Sequence, residues 1–249
     1  EEYWTDRAEG YSQVNCQELA TGQDKVWLKE IKKHLPKKDG LKILDIGTGP
    51  GFFAIILAKE GFNVTAIDCT QAMIEKAKIN AGSLASKIDF KIMDAQNLSF
   101  DDETFDVVVS RNLTWNLENP EMAYSEWTRV LKKDGVLLNF DANWYRHLYD
   151  KDLRKAYEQD RQNTALQGEE DHYTCTDIDK MEDIAKRVPM SQTLRPAWDK
   201  DVLEKHGITN IFIDENVWQN VWADIEKLNY ASTPMFLVKA TKTFGGNIQ

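Results

Sequence analysis

Short apolar runs alternate with helical stretches along most of the chain, and this alternation constrains the fold more than any other feature. Short apolar runs separated by helices are typical of parallel strands that are buried on both faces of a sheet. The pattern therefore predicts an α/β fold with a doubly wound, seven-stranded and mostly parallel sheet. The seven runs cover residues 41–46, 63–67, 88–93, 105–110, 135–140, 208–213 and 235–241.

The alternation is interrupted between the fifth and the sixth run. Residues 141–205 are polar and aromatic, favour helix and contain no obvious strand. Such a long stretch without structure is unusual inside a compact domain, so we predict a helical, substrate-binding lid inserted between strands five and six. The lid divides the chain into a cofactor-binding core with an N-terminal flap (1–140), the lid itself, and C-terminal strands that complete the sheet (206–249). Within the core, residues 1–11 are expected to precede the first helix, which is predicted over 16–34.

Composition and charge exclude several classes of partner. Lysine and arginine number 31 against 41 aspartates and glutamates, giving a formal net charge of -10, whereas proteins that follow phosphate backbones usually carry a positive balance. No apolar run approaches the roughly 18 residues of a membrane span, and because the first residues are polar we expect no signal peptide. Cys16, Cys69 and Cys175 form no paired motif, and the four histidines lack metal-ligand spacing. We expect a cytoplasmic protein without metal, nucleic acid or membrane partner.

The first apolar run leads into a glycine-rich loop that turns the chain into a helix. Residues 42–51 read KILDIGTGPG. Glycine allows the backbone to turn tightly and lets a ligand approach where a side chain would clash. About twenty residues later Asp68 ends the next run, where a carboxylate can accept both hydroxyls of a ribose. The combination predicts a nucleoside-containing cofactor at this loop.

Two cofactor classes use this layout. A nicotinamide or flavin dinucleotide favours Gly-x-Gly-x-x-Gly, in which the third glycine permits close packing of helix on strand. Phe52 occupies that third position, and the glycine falls one place earlier at Gly51. Asp45 would also place negative charge near a pyrophosphate. Both features favour a ligand without phosphates and with a cationic end, which describes S-adenosyl-L-methionine.

From about Trp4 to Phe140 the sequence resembles the class I S-adenosylmethionine-dependent methyltransferases, in particular the small-molecule group that includes ubiquinone and menaquinone biosynthesis enzymes. The matching motifs, in order, are LDIGTGPG at 44–51, Asp68, the pair Asp94-Ala95, the run FDVVVS at 105–110 and the turn LKKDG at 131–135. In that turn, Lys133-Asp134 departs from the usual Leu-Lys-Pro-Gly-Gly. The resemblance implies a Rossmann-like fold, S-adenosyl-L-methionine as cofactor, and methyl transfer to a small-molecule acceptor by in-line displacement.

The resemblance also implies roles for individual residues. The glycine-rich motif would cradle the methionine part and Asp68 would bind the ribose. Asp94 would accept from the exocyclic amine of adenine, and the Ala95 amide would donate to a ring nitrogen. The predicted cofactor-binding residues are Tyr11, Asp45, Gly47, Thr48, Gly49, Gly51, Asp68, Cys69, Thr70, Met73, Asp94, Ala95, Arg111 and Asn112.

The acceptor side is expected where strands four and five end, because ligands of open α/β sheets lie at the carboxyl ends of the strands. Methyl transfer from an activated cofactor needs mainly positioning, and it needs a general base only for some acceptors. The alternatives are packing of Trp144 and Tyr145 against the lid and a surface position for His147. Substrate-binding candidates are Trp115, Asp141, Asn143 and Trp144, and catalytic candidates are Asn112, Tyr145 and His147.

Two other functions stay open. A non-catalytic S-adenosylmethionine-binding protein would have the same cofactor site, and an NAD(P)-dependent oxidoreductase is disfavoured by Phe52 at the third glycine place. Adenine and cytosine methyltransferases of nucleic acids carry an Asn/Asp-Pro-Pro-Tyr-like run after the fourth strand, which residues 110–113 (SRNL) lack. We therefore expect a small-molecule acceptor, with a homodimer as the assembly to test.

Overall fold

The computed structural model describes residues 2–171 and 177–243; Cys175 and part of the predicted lid lie outside these residues. Seven strands form one sheet in the order β3-β2-β1-β4-β5-β7-β6, in which β7 runs antiparallel to both of its neighbours. The predicted seven-stranded, mostly parallel sheet is confirmed. The strands are β1 (Lys42–Ile46), β2 (Asn63–Asp68), β3 (Ile88–Ile92), β4 (Phe105–Arg111), β5 (Leu131–Asp141), β6 (Asn210–Asp214) and β7 (Phe236–Thr241).

Helices cover both faces of the sheet, and each face has its own apolar core. Alternate residues of a strand point to opposite faces, so Ile43 packs with Trp27 and Phe53 on one side while Leu44 packs with Trp127 on the other. The helices of the described residues are α1 (Glu2–Ala20), α2 (Gln23–Lys32), α3 (Phe52–Lys59), α4 (Gln71–Ala81), α5 (Pro120–Val130), α6 (Lys151–Gln167), α7 (Ile178–Ala185), α8 (Ala197–Lys205), α9 (Trp218–Val221) and α10 (Asp224–Asn229). None of them combines the length and apolar character needed to cross a bilayer.

The prediction that residues 1–11 precede the first helix is wrong. Residues 2–20 form α1, and the helix predicted over 16–34 is divided at Gly22, whose φ of +87° is left-handed. The buried residues of α1 include the polar Ser12 and Asn15, so an apolar periodicity is weak there and does not reveal the helix.

The chain between β5 and β6 forms α6, α7 and α8, with no strand among its described residues. This helical insertion lies where the sequence predicts it, and its role as a substrate lid stays a prediction. The helix predicted over 217–228 is instead two helices, α9 and α10. The break follows from the extended backbone at Trp222 and Ala223, where the Glu226 carboxylate accepts the Ala223 N–H (2.8 Å) and caps α10.

Candidate active site

The glycine-rich loop leaves β1 at the carboxyl edge of the sheet and opens toward Asp68. Gly49 has a left-handed φ of +52°, and a Cβ built on it would meet no protein atom within 4 Å. A Cβ on Gly51 would instead lie 3.0 Å from Ala77 Cβ of α4. Gly51 therefore permits the close approach of two helices, whereas Gly49 borders open space.

Asp68 ends β2 with its carboxylate beside the open side of the loop. Its Oδ2 accepts the Gly49 N–H (3.0 Å), and its Oδ1 accepts the Thr70 N–H (2.9 Å). Burial raises the pKa of Asp68, and the hydrogen bonds from Thr70 and Gly49 oppose that rise. Each carboxylate oxygen can accept about two hydrogen bonds, and the Thr70 side chain also binds this carboxylate, so about one acceptor position remains. The remaining position on this carboxylate fits a hydroxyl of a ribose.

Asp45 supports the loop from below. Its Oδ2 accepts from the Thr48 hydroxyl (2.6 Å) and from the Ala54 N–H in the first turn of α3 (3.0 Å). Asp45 is 2% exposed, and burial raises its pKa to about 7. Asp45 therefore holds the loop and the start of α3 in place.

The residues predicted to surround adenine lie after β2 and β3. Asp94 is exposed, and its Oδ1 accepts from the backbone N–H and the side-chain amide of Gln96 (2.9 and 3.1 Å). The Ala95 carbonyl accepts from the indole N–H of Trp127 (2.9 Å), which fixes the backbone of this turn. Thr70 and Met73 are buried at the start of α4, and Cys69 is exposed beside them.

Helix α1 contacts elements on both sides of the glycine-rich loop. Ser12 donates to the side-chain oxygen of Asn80 (3.1 Å), whose amide donates to the Pro50 carbonyl in the loop (3.0 Å). The Trp4 ring lies 6.4 Å from Trp115, between centroids, and 5.8 Å from the ring of Tyr11. The predicted flap is thus a helix that lies against the site.

Arg111, predicted to bind cofactor, ties α1 to the end of β4. Its two terminal nitrogens bind the Glu18 carboxylate at 2.7 and 3.0 Å. Its guanidinium carbon lies 4.6 Å from the centre of the Phe52 ring. Because its donors are engaged by α1 and its face by an aromatic ring, Arg111 acts on the site by anchoring α1.

Three of the acceptor-side candidates meet where β4 and β5 end. Asn112 has a left-handed φ of +56°, and its N–H donates to the Phe140 carbonyl (2.8 Å). The Trp115 indole donates to the Asn112 carbonyl (3.0 Å), and the ring centroids of Trp115 and Tyr145 are 5.0 Å apart. Asn112, Trp115 and Tyr145 therefore form one polar and aromatic wall beside the loop.

The other three substrate candidates make internal contacts. Asp141 is fully buried and binds the Trp115 N–H and the Arg195 guanidinium, so its carboxylate is not exposed to a substrate. Asn143 forms two hydrogen bonds with the backbone of Arg195. Trp144 packs on Tyr230, with ring centroids 5.2 Å apart. Sequence reasoning missed Arg195, whose only local signal is the i,i+4 spacing with Asp199.

His147 is a core residue, and the alternative of a surface histidine is wrong. It is 3% exposed and stacks on Tyr157 of α6 at a centroid distance of 4.1 Å. Neither ring nitrogen has a hydrogen-bond partner among the described residues, and Nε2 lies 3.8 Å from the Glu182 carboxylate. Burial lowers the pKa of His147 to about 4, with a smaller contribution from Arg154. A ring enclosed in this way is not placed to take a proton from an acceptor.

The burial of His147 makes stability depend on pH. In the unfolded chain, His147 binds a proton as the pH falls below about 6.5, the usual histidine pKa. In the native protein the ring stays neutral until the pH approaches about 4. Its contribution to the free energy of unfolding is thus complete above pH 6.5 and declines toward pH 4. A difference of about 2.5 between the two pKa values corresponds to about 3 kcal/mol.

His147→Phe keeps the stacked ring and removes the titration, so we expect it to remove this loss of stability in acid. Denaturant unfolding of both proteins between pH 7 and pH 4.5 measures the effect. The difference between the two proteins isolates His147 from Asp45 and Glu226, whose raised pKa values act in the opposite direction. A difference that stays constant across this range would contradict the prediction.

Comparison with known proteins agrees with the geometry. Residues 44–139 match the family model described as a methyltransferase domain. Residues 44–139 of this chain are similar to a methyltransferase domain. The domain runs from β1 to β5 and includes the glycine-rich loop, Asp68 and Asp94, whereas α1, the helical insertion, β6 and β7 lie outside it.

Curated relatives match the methyltransferase domain and its surroundings. The ubiquinone biosynthesis O-methyltransferase of Rickettsia typhi is 32% identical over 122 residues, which cover 49% of each protein. The demethylmenaquinone methyltransferase of Streptomyces avermitilis is 32% identical over 156 residues, covering 61% of this chain and 65% of that protein. The chain thus spans between about half and two thirds of the length of these relatives.

Solved structures share the fold at lower identity. An S-adenosylmethionine-dependent methyltransferase from Aquifex aeolicus has a TM-score of 0.54 at 20% identity, covering 86% of this chain and 89% of that one. Phosphoethanolamine N-methyltransferase 2 of Haemonchus contortus, in complex with S-adenosyl-L-methionine, has a TM-score of 0.59 at 18% identity, covering 87% and 52%. These neighbours confirm the α/β sheet architecture of the methyltransferase fold.

Proposed function

We propose that this protein transfers a methyl group from S-adenosyl-L-methionine to a small-molecule acceptor. The observation that carries the proposal is the pairing of an open, left-handed Gly49 with the Asp68 carboxylate, which can accept a further hydrogen bond, inside the residues that match a methyltransferase domain. The buried Asp45 beside the loop would disfavour a pyrophosphate and suits a sulfonium ligand with a ribose.

The described residues divide the task between cofactor and acceptor. The glycine-rich loop would hold the methionine part and Asp68 the ribose, while Asp94, Ala95 and Met73 would border adenine. When bound, the cofactor supplies a methyl group on a cationic sulfur that is already activated. The protein therefore needs to align the acceptor and exclude water, and α1 and the insertion cover the edge where this occurs.

The acceptor that best fits the site is a neutral molecule with an aromatic or quinone-like ring. Trp4, Trp115 and Tyr145 supply ring faces and edges at the ends of the strands, and Met190 of the insertion packs in the same apolar cluster. Aromatic side chains favour stacked or edge-on contacts with another ring. The names of the two curated relatives, which concern ubiquinone and menaquinone biosynthesis, support the same class.

A transfer assay tests the proposal. The protein is incubated with methyl-labelled S-adenosylmethionine and fractionated metabolite extracts, and label is followed into new products. We expect one fraction to accept label from the wild-type protein, and to accept about tenfold less from Asp68→Ala when the cofactor is below saturation. Binding of the cofactor without transfer to any fraction would favour the non-catalytic binding protein instead.

Cofactor binding should also protect α1 from proteolysis. Because α1 packs against α4 and Trp115 next to the glycine-rich loop, we expect S-adenosylhomocysteine to slow tryptic cleavage near Arg7. Cleavage at Lys155 on the exposed side of α6 provides the internal control, since α6 is not expected to respond. If cleavage near Arg7 is unchanged while other sites are protected, α1 does not close over the cofactor.

A further inference from the structure

A buried ion network joins the helical insertion to the carboxyl end of β5. The Arg195 guanidinium donates from Nη1 to Asp141 Oδ2 (2.5 Å) and from Nε and Nη2 to the Asp199 carboxylate (2.9 and 2.6 Å). All three side chains have no exposed surface. Tyr124 donates its hydroxyl to Asp199 Oδ1 (2.5 Å), which extends the network to α5.

One further hydrogen bond connects this network to the acceptor wall. Asp141 Oδ2 accepts the backbone N–H of Trp115 (3.0 Å) as well as the Arg195 guanidinium. Asn143 holds Arg195 from the other side, since its amide donates to the Arg195 carbonyl (2.9 Å) and its oxygen accepts the Arg195 N–H (3.2 Å). The place of the Trp115 backbone is therefore coupled to Arg195 through a single carboxylate oxygen.

Stability alone does not explain why these charges are buried. Removing an ion from water costs several kcal/mol even in a relaxed protein, and well-packed apolar side chains of the same volume often hold a core equally well. Here two carboxylates share one guanidinium. Burial raises the pKa of Asp141, and Arg195 opposes that rise. Charged hydrogen bonds fix the relative orientation of the groups they join, which apolar packing does less strictly. This holds especially when a guanidinium fork binds two carboxylates.

We propose that Arg195 is a positioning residue for the methyl acceptor, which fixes Trp115 through Asp141 and so sets the wall against which the acceptor lies. This inference rests on the proposed function. It gives the insertion the task of shaping the acceptor side. Among the described residues, the hydrogen bonds of Arg195 go to Asp141, Asn143 and Asp199 and not to the glycine-rich loop or Asp68, so cofactor binding should not depend on it.

Fluorine spectroscopy tests the coupling without an acceptor. Arg195→Lys keeps the charge but lacks the fork that reaches both carboxylates. Val202→Ala removes buried methyl groups from α8, the helix that carries Asp199, and serves as the matched control for lost stability. Each protein is labelled with 5-fluorotryptophan, and the resonances of Trp115 and Trp27 are assigned with Trp→Phe variants. We expect Arg195→Lys to shift or broaden the Trp115 resonance only, and Val202→Ala to change neither.

Transfer assays on the same proteins test the consequence for the reaction. The probe is the extract fraction that accepts label from the wild-type protein. We expect Arg195→Lys to raise the half-saturating amount of this fraction by about tenfold or more, as a misplacement of roughly 1 Å can do, with an unchanged dissociation constant for S-adenosylhomocysteine. Asp199→Asn is measured in parallel. It should also shift or broaden the Trp115 resonance and raise the half-saturating amount, which covers the case that Arg195→Lys does not fold.

The outcomes separate this inference from the proposed function. An unchanged Trp115 resonance in folded Arg195→Lys and Asp199→Asn would overturn the inference, and so would an equal change in Val202→Ala. Loss of S-adenosylhomocysteine binding in the Arg195 variant would also overturn it, because Arg195 would then act on the cofactor. A wild-type protein that transfers no label contradicts the proposed function, and the fluorine result still decides whether Arg195 positions Trp115.

Discussion

Gly49→Val is expected to abolish S-adenosylmethionine binding while the protein stays folded. Gly49 has a φ of +52°, and a Cβ at this position points into open space beside the Asp68 carboxylate. A branched side chain there would occupy the place of the ligand. The left-handed backbone costs a residue with a Cβ roughly 1–2 kcal/mol, which a stable domain tolerates. Calorimetric titration and thermal unfolding measure the two effects separately.

Gly61→Val provides a matched control for the backbone penalty. Gly61 also has a left-handed φ, of +92°, and a Cβ on it would meet no atom within 4 Å. It lies in the turn between α3 and β2, away from the carboxyl edge of the sheet. We expect this variant to lose similar stability and to bind cofactor normally. A folded Gly49→Val protein that also binds normally would mean that the loop is only a turn.

Asp68→Ala is expected to weaken S-adenosylmethionine binding by about tenfold or more, because hydrogen bonds to charged groups are worth roughly 1.5–3 kcal/mol each. The variant would lack the hydrogen bonding of the carboxylate to the ribose. It would also lack the hydrogen bond from the Gly49 N–H to Asp68, which shapes the loop. Asp68→Asn keeps one acceptor oxygen, so we expect an intermediate affinity. Calorimetry on both folded variants gives the ranking. Equal affinities in wild type and Asp68→Ala would remove Asp68 from the site.

The sheet could be predicted because each strand carries its own signal. Val107, Val108 and Val109 are consecutive and buried on both faces, a pattern that is typical of a central strand of a covered sheet. In α3, seven of the eight residues are buried, so its apolar character also follows directly from its place between sheet and α2. The glycine-rich loop could be located because left-handed turns demand glycine at fixed spacing.

The surroundings of the site depend on contacts between distant residues, and the sequence does not reveal these. Asp141 looks like a free carboxylate at a strand end until Arg195, 54 positions later, is placed against it. His147 has no local pattern that distinguishes a stacked core ring from a surface base. Helix α1 buries Ser12 and Asn15 against its neighbours, and polar buried residues conceal the periodicity that reveals other helices.

The most direct test is a calorimetric titration of the wild-type protein with S-adenosylhomocysteine and, separately, with NAD⁺. The glycine-rich loop with Phe52 at the third glycine place, Asp45 beneath it and Asp68 beside it should select the ligand that has no pyrophosphate. We predict saturable binding of S-adenosylhomocysteine that Gly49→Val abolishes, and no binding of NAD⁺. Binding of NAD⁺ without binding of S-adenosylhomocysteine would contradict the account and assign the site to a dinucleotide.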